Sequence, residues 1–220
     1  MQPALAIFAR TPQRSAAKTR LAEQTCRTDA ERLYELSLRC LAETGRALLA
    51  EGWQVTWAVA ESGGEQDEYW QQTGIAAFSS GAGALGSRLA HTYARLLGDT
   101  AVAVMIGSDS PQLSVPRLQQ AAQAAERSSL AAGPAADGGF YVFAGSRPID
   151  AGVWEAVSYS QSDTLEQLCR AIGSEVAMLA PEPDFDDLDS LAEVVLQMPK
   201  PASATQQQFC QLAKRLLAKD

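Results

Sequence analysis

The sequence predicts an α/β fold, Rossmann-like, with a mostly parallel central sheet and helices on both faces. Three observations predict it. Short runs rich in Ala, Val and Ile alternate with longer segments whose apolar residues recur at helical spacing. Several of those runs show no polar alternation, as strands buried on both faces require. Glycines and aspartates punctuate the ends of the runs, where ligands bind in open α/β sheets.

The elements follow in order. Residues 4–9 (Ala-Leu-Ala-Ile-Phe-Ala) read as a buried strand. Residues 10–21 read as a polar loop carrying Arg10, Arg14, Lys18 and Arg20. Thr28-Asp-Ala-Glu31 has the form of a capping box. It opens a helix with Leu33, Leu36, Cys40, Leu41 and Leu48 on one face, closed by Gly52. Strands are predicted at 55–60 and 75–78, with a short helix near 67–70. Gly81-Ala-Gly-Ala-Leu-Gly86 then enters a helix with Leu89, Tyr93 and Leu96 on its inner face and His91 pointing outward. This glycine run follows the third strand with the wrong spacing for a dinucleotide fingerprint.

The central strand, 101–106, stops at Gly107-Ser108-Asp109-Ser-Pro111. Pro116 starts a helix, and a strand follows at 130–134. Asp137-Gly138-Gly139 precedes an apolar run to 144, and the letters fit a hairpin turn as well as a ligand loop. Ser160–Asp163 is a second capping-box candidate, and 176–179 is the last strand. Asp184, Asp186, Asp187 and Asp189 crowd the next segment. A helix running to 195 needs one cap, Asp187 or Asp189. Asp184 and Asp186 alternate along extended chain and so project to one side. An amphipathic helix with Phe209, Leu212 and Leu216 ends the chain.

Length and composition set bounds. The 220 residues, 46% hydrophobic and 20% charged, fit a single domain spanning 1–220. A net charge of −8 argues against a nucleic-acid partner. No apolar run is long enough to insert in a membrane, and no signal peptide precedes the first strand. Four scattered cysteines point to reduced thiols in the cytoplasm. A lone histidine excludes any imidazole-built metal site or triad. The oligomeric state is not encoded in any recognisable pattern.

Candidate chemistry gathers on the acids and the basic loop. A carboxylate beyond a buried strand, as at Asp109, serves either a ligand or an ordinary Asx turn. Lys and Arg in the first loop suit a diphosphate, and equally a solvated surface.

Five collinear blocks carry a resemblance: Phe8-Ala-Arg10-x-Pro12, Lys18-Thr-Arg20-Leu21, Gly107-Ser-Asp109-Ser-Pro111, Gly133-Pro-x-x-Asp137-Gly-Gly-Phe-Tyr141 and Asp184-Phe-Asp186. Together they resemble the bacterial DUF2064 family of GT-A-like glycosyltransferases, which includes radical-SAM-associated and arsenosugar-biosynthesis-type transferases. That family is related in fold to the molybdopterin and phospholactate guanylyltransferases. The resemblance implies a nucleotide-diphospho-sugar transferase fold using Mg2+ or Mn2+. It implies metal contacts from Asp109 and Asp186, and phosphate or nucleotide contacts from Arg10, Lys18, Arg20 and Ser108. It makes Gly138 and Gly139 the substrate loop, with Asp137 and Asp109 in catalytic roles. The chain departs from the family at Arg14-Ser15, where Pro-Gly is usual, and at Ala84, where an acid is usual. The expected function is metal-dependent sugar transfer from a nucleotide-diphosphate donor to a small acceptor. The alternatives are nucleotidyl transfer from an NTP to a phosphorylated small molecule, and a nucleotide-binding module without turnover.

Overall fold

The structure is a computed structural model describing residues 2–14 and 17–218; Ser15, half of the departure in the basic loop, lies outside them. Among the described residues, seven strands form one sheet: β1 (Ala4–Ala9), β2 (Gln54–Val59), β3 (Ala76–Ser79), β4 (Ala103–Ile106), β5 (Leu130–Pro134), β6 (Phe140–Gly145) and β7 (Ala177–Met178). Their order is β3-β2-β1-β4-β6-β5-β7. All pairs are parallel except those made by β6, which runs against β4 and β5. The helices are α1 (Thr19–Gln24), α2 (Arg27–Ala50), α3 (Glu68–Gln72), α4 (Leu85–Asp99), α5 (Val115–Ser128), α6 (Ala151–Glu155), α7 (Thr164–Ile172), α8 (Leu188–Leu196) and α9 (Ala204–Leu217). None of them is long and apolar enough to cross a membrane.

Strand alternation divides the core. One face of the sheet presents Leu5, Ile7, Val55, Trp57, Val104 and Ile106, and α2 and α5 cover it with Leu38, Leu41 and Leu118. The other presents small residues, Ala4, Ala6, Ala58 and Ala103. That leaves room for bulky aromatics, and Tyr93, Phe143 and Trp154 fill it with ring centroids 5.0, 5.5 and 5.8 Å apart. A third apolar cluster lies among α1, α2, α8 and α9 around Leu21, Leu33, Leu191 and Phe209, and it takes in Phe185.

Three local expectations are corrected. The basic stretch is not loop throughout: Thr19–Gln24 forms α1, because Leu21 can bury itself against the third cluster. The Thr28–Glu31 capping box does not form. Helix α2 starts two residues earlier, capped by the Cys26 thiol accepting the Asp29 N–H, while Glu31 pairs with Arg27 at 2.6 Å. Ser160–Asp163 is a turn with Ser160 at φ 59°, and α7 begins only at Thr164, whose hydroxyl donates to the Gln161 and Ser158 carbonyls. Pro116 does sit in the first turn of α5, and Asp187 caps α8 through a reciprocal box with Ser190.

Candidate active site

A cleft of about 910 Å³ opens at the C-terminal ends of β1, β4 and β5. Chain geometry explains why distant residues meet there. The segment after β7 is stapled to the loop after β4: the Phe185 N–H donates to the Asp109 carbonyl at 3.1 Å. The Ser110 hydroxyl and the Gln112 amide donate to the Pro183 carbonyl at 3.2 and 2.7 Å. Phe185 is fully buried and stacks edge-on against Phe209 at 5.2 Å. Its two neighbours are therefore turned the other way, and Asp184 and Asp186 both line the cleft.

Lys18 enters from the opposite wall. It precedes α1 in the left-handed conformation, with φ 57°, a region uncommon for residues other than glycine. Its ammonium lies 2.7 Å from Asp109 and 2.8 Å from Asp186, and 4.3 Å over the Phe185 ring. Only 4% of the side chain is exposed. Burial alone lowers its pKa, but the two carboxylates outweigh burial and hold it above the usual lysine value, so Lys18 stays cationic. Arg20 pairs with Asp186 from the solvent side.

The turn between β5 and β6 closes the third side. Asp137 accepts the Gly139 N–H at 2.8 Å, and the Ala135 carbonyl accepts the Gly138 N–H at 3.2 Å. The Asp-Gly-Gly run is thus a hairpin turn, and its Asp137 and Gly139 line the cleft. Gly138 has φ 88°, and a Cβ there would stand 1.9 Å from the Ser162 carbonyl oxygen, so this turn admits only glycine.

Ser108 and Arg10 share a neighbour, Tyr34. The buried Ser108 hydroxyl lies 3.4 Å from the Tyr34 hydroxyl, which accepts the Arg10 N–H at 2.8 Å and donates to the Arg10 carbonyl at 3.0 Å. The Ser108 carbonyl accepts from Ser37. Arg10 itself is exposed and lines the cleft. Behind Ala84, Arg88 donates to the carbonyls of Gly83 and Ala60, both at 3.0 Å, and pins the glycine loop to the end of β2.

Oxygen atoms of Asp137, Asp184 and Asp186 all lie within 4.8 Å of one another. Asp186 belongs to both this cluster and the Lys18 clamp, whereas Asp109 belongs to the clamp alone. Asp184 is the functional candidate that sequence reasoning left out of the site. Its alternation with Asp186 was the available signal, but only the fold shows that both project into one cleft. Burial, then the charges of Asp137, Asp186 and Asp109, push its carboxyl up to about 6, against the pull of Lys18. Clustered hard oxygen donors fit a divalent cation such as Mg2+ or Mn2+.

With this geometry established, comparison with known proteins becomes informative. The family model described as "Uncharacterized protein conserved in bacteria (DUF2064)" matches residues 42–161, more than half of the chain. The chain belongs to the DUF2064 family. The matched span of this DUF2064 protein holds Ser108, Asp109, Asp137, Gly138 and Gly139. The basic loop and the Asp184–Asp186 segment lie outside it. None of the curated proteins matches the chain.

Among solved structures, a protein of Desulfovibrio desulfuricans G20 described as a candidate nucleotide-diphospho-sugar transferase is 20% identical. It superposes with a TM-score of 0.83, covering 100% of this chain and 98% of that one. Rv0371c of Mycobacterium tuberculosis H37Rv, solved as a manganese complex, is 14% identical with a TM-score of 0.51, covering 88% and 98%. CMP:2-keto-3-deoxy-manno-octonic acid synthetase, complexed with CTP, gives the same identity and TM-score, covering 88% and 97%. At these identities the likeness establishes the fold: the DUF2064 chain has the Rossmann-like architecture of sugar and nucleotidyl transferases.

Proposed function

We propose that this protein is a metal-dependent transferase that moves a sugar from a nucleotide-diphosphate donor to a small acceptor. One observation carries the reading. The cleft at the ligand-binding edge of the sheet holds three carboxylates, Asp137, Asp184 and Asp186, with oxygens within 4.8 Å of one another, beside Asp109 and the cations Arg10, Lys18, Arg20 and Arg88. A divalent cation on that acidic cluster and a diphosphate against the arginines would together complete the site.

Asp184 and Asp186, with Asp137 at the solvent edge, would hold the cation. Once bound, the cation would supply neutralisation of charge on the leaving diphosphate. Lys18 fixes Asp186 and Asp109 in place by bridging them, so the acids are positioned before any ligand arrives. Arg10 and Arg20, at the rim, supply positive charge for diphosphate oxygens. In sugar transfer the bond from the anomeric carbon to the diphosphate oxygen breaks and a bond to the acceptor oxygen forms, and the acceptor releases a proton. Asp137, exposed and anchored on Gly139, orients the acceptor or receives that proton. The catalytic parts assigned to Asp137 and Asp109, the phosphate-binding parts of Arg10, Lys18, Arg20 and Ser108, and the substrate-loop part of Gly138 and Gly139 belong to this proposal. So does a cytoplasmic site of action.

Nucleotidyl transfer is the second reading, favoured by the likeness to a synthetase solved with CTP. The two separate in one assay. Incubation with a panel of nucleotide sugars and NTPs, with Mn2+ and candidate acceptors, releases nucleoside diphosphate in the first case and pyrophosphate in the second. Failure of every nucleotide and nucleotide sugar to bind would sink both.

A further inference from the structure

Away from the cleft, α2 and α9 lie side by side and line a second, smaller cavity of about 310 Å³. Its walls are polar: Arg32, Glu35 and Arg39 come from α2, and Gln208, Gln211 and Arg215 from α9. Spacings of three and seven residues place each set along one helix face, with Arg32 and Arg39 about 10 Å apart along the axis.

Some arginines of this chain rest on carboxylates and others, among them Arg46, Arg127 and Arg147, have none within 4.0 Å among the described residues. Arg14 rests on Asp67, Arg27 on Glu31, Arg117 on Glu182 and Arg170 on Glu166. Arg88 rests on two carbonyls and Arg95 on the Phe78 ring. Arg32, Arg39 and Arg215 have no carboxylate within 4.0 Å among the described residues. Glu35 stands four residues before Arg39, the favoured orientation for a helical ion pair, yet the pair does not form. Instead the three cations line one concavity with a single carboxylate, a local charge of +2 in a protein of net charge −8. Like charges held together without counterions repel, and an oxyanion between them would relieve that repulsion while taking forked hydrogen bonds. Two glutamine amides offer further donors.

We infer that the α2–α9 groove is a binding site for a polyphosphate chain, separate from the active-site cleft. Three guanidiniums, two of them about 10 Å apart along α2, suit a linear triphosphate better than a single phosphate. The chain could be carried by a nucleotide or be inorganic, because nothing aromatic lines the groove to stack a base.

Calorimetric titration with inorganic tripolyphosphate, in EDTA so that no metal supports binding in the cleft, tests this. A second arm uses a nucleoside triphosphate. The native protein should show saturable binding below roughly 1 mM. The double variant Arg39→Gln/Arg215→Gln should bind about five- to tenfold more weakly with an unchanged melting temperature. Arg127→Gln, an exposed arginine of α5, and Arg10→Gln, in the cleft, should bind as the native protein does. Equal affinity in both arms identifies the phosphate chain alone as the ligand, and tighter nucleotide binding adds a base contact. The inference is overturned if the native protein does not bind tripolyphosphate. It is equally overturned if Arg127→Gln weakens binding as much as the double variant, which would mean general charge attraction. Loss in Arg10→Gln but not in the double variant would place the anion in the cleft. Binding of a poly-glutamate peptide without tripolyphosphate binding would make the groove a protein-docking surface instead.

Discussion

Replacing Asp184 by Asn should stabilise the metal-free protein above neutral pH. In the folded state burial and three neighbouring carboxylates hold the Asp184 carboxyl near 6, against a usual value of 3.8. Well below pH 3.8, both folded and unfolded chains carry the proton, and the group has no net effect. As pH rises towards 6 the unfolded chain gives up its proton while the folded chain keeps it, so unfolding becomes progressively easier. Above about pH 6 the deficit is complete. A gap of about two pKa values has a ceiling near 3 kcal/mol, and solvent at the cleft face reduces the expected effect to about 1–2 kcal/mol. Urea unfolding in EDTA at pH 4.5 and pH 8, native protein against Asp184→Asn, measures it. The variant's advantage should be about 1–2 kcal/mol at the high pH and about a third of that at the low one. Saturating Mn2+ at pH 8 should reverse the order, because only the native cluster gains stability by binding it. If the variant is less stable at pH 8 in EDTA, or its advantage does not grow with pH, the acids are not repelling one another as described.

Three other substitutions probe the same scaffold. Lys18→Met leaves Asp109 and Asp186 facing each other without their bridge and should cost about 2–3 kcal/mol at pH 8 in chemical denaturation, discounted for their partial exposure. Gly138→Ala forces a Cβ against the Ser162 carbonyl at a left-handed φ; a fall in melting temperature equivalent to about 2–4 kcal/mol is expected, with loss of any metal-dependent ligand shift. Phe185→Ala removes a fully buried ring between two cleft aspartates and should cost about 3–5 kcal/mol in urea unfolding, while weakening Mn2+ binding because Asp184 and Asp186 lose their anchor.

Much of this arrangement was legible in the sequence, for reasons that differ by element. Residues 4–9 and 130–134 announce themselves as strands because burial on both faces leaves no polar residue to obscure the run, and their observed bounds coincide with the expected ones. The projection of Asp184 and Asp186 to one side follows from strand geometry alone, and buried Phe185 between them is the structural counterpart. What local patterning did not reveal depends on distant partners. Helix α1 has one buried residue, Leu21, so its apolar signal is too weak to read without the third cluster beneath it. Cys26 displaces Thr28 as a cap because the helix begins where tertiary packing lets it, not at the best capping letters. Helix α6 is five residues long and gains its place from Trp154 packing against Tyr93 and Phe143. The grouping of Asp184 with Asp137, across some 47 residues of chain, follows from the hairpin and the strand order, which no local pattern specifies.

Metal binding at the Asp137–Asp184–Asp186 cluster is tested most directly by calorimetry with a nucleoside diphosphate, with and without Mn2+. The native protein should bind the nucleotide at least about tenfold more tightly with Mn2+ than in EDTA, and Asp184→Asn/Asp186→Asn should lose that difference while remaining folded. Nucleotide binding that is indifferent to Mn2+ in the native protein, or an Mn2+ effect that survives the double substitution, would contradict the account.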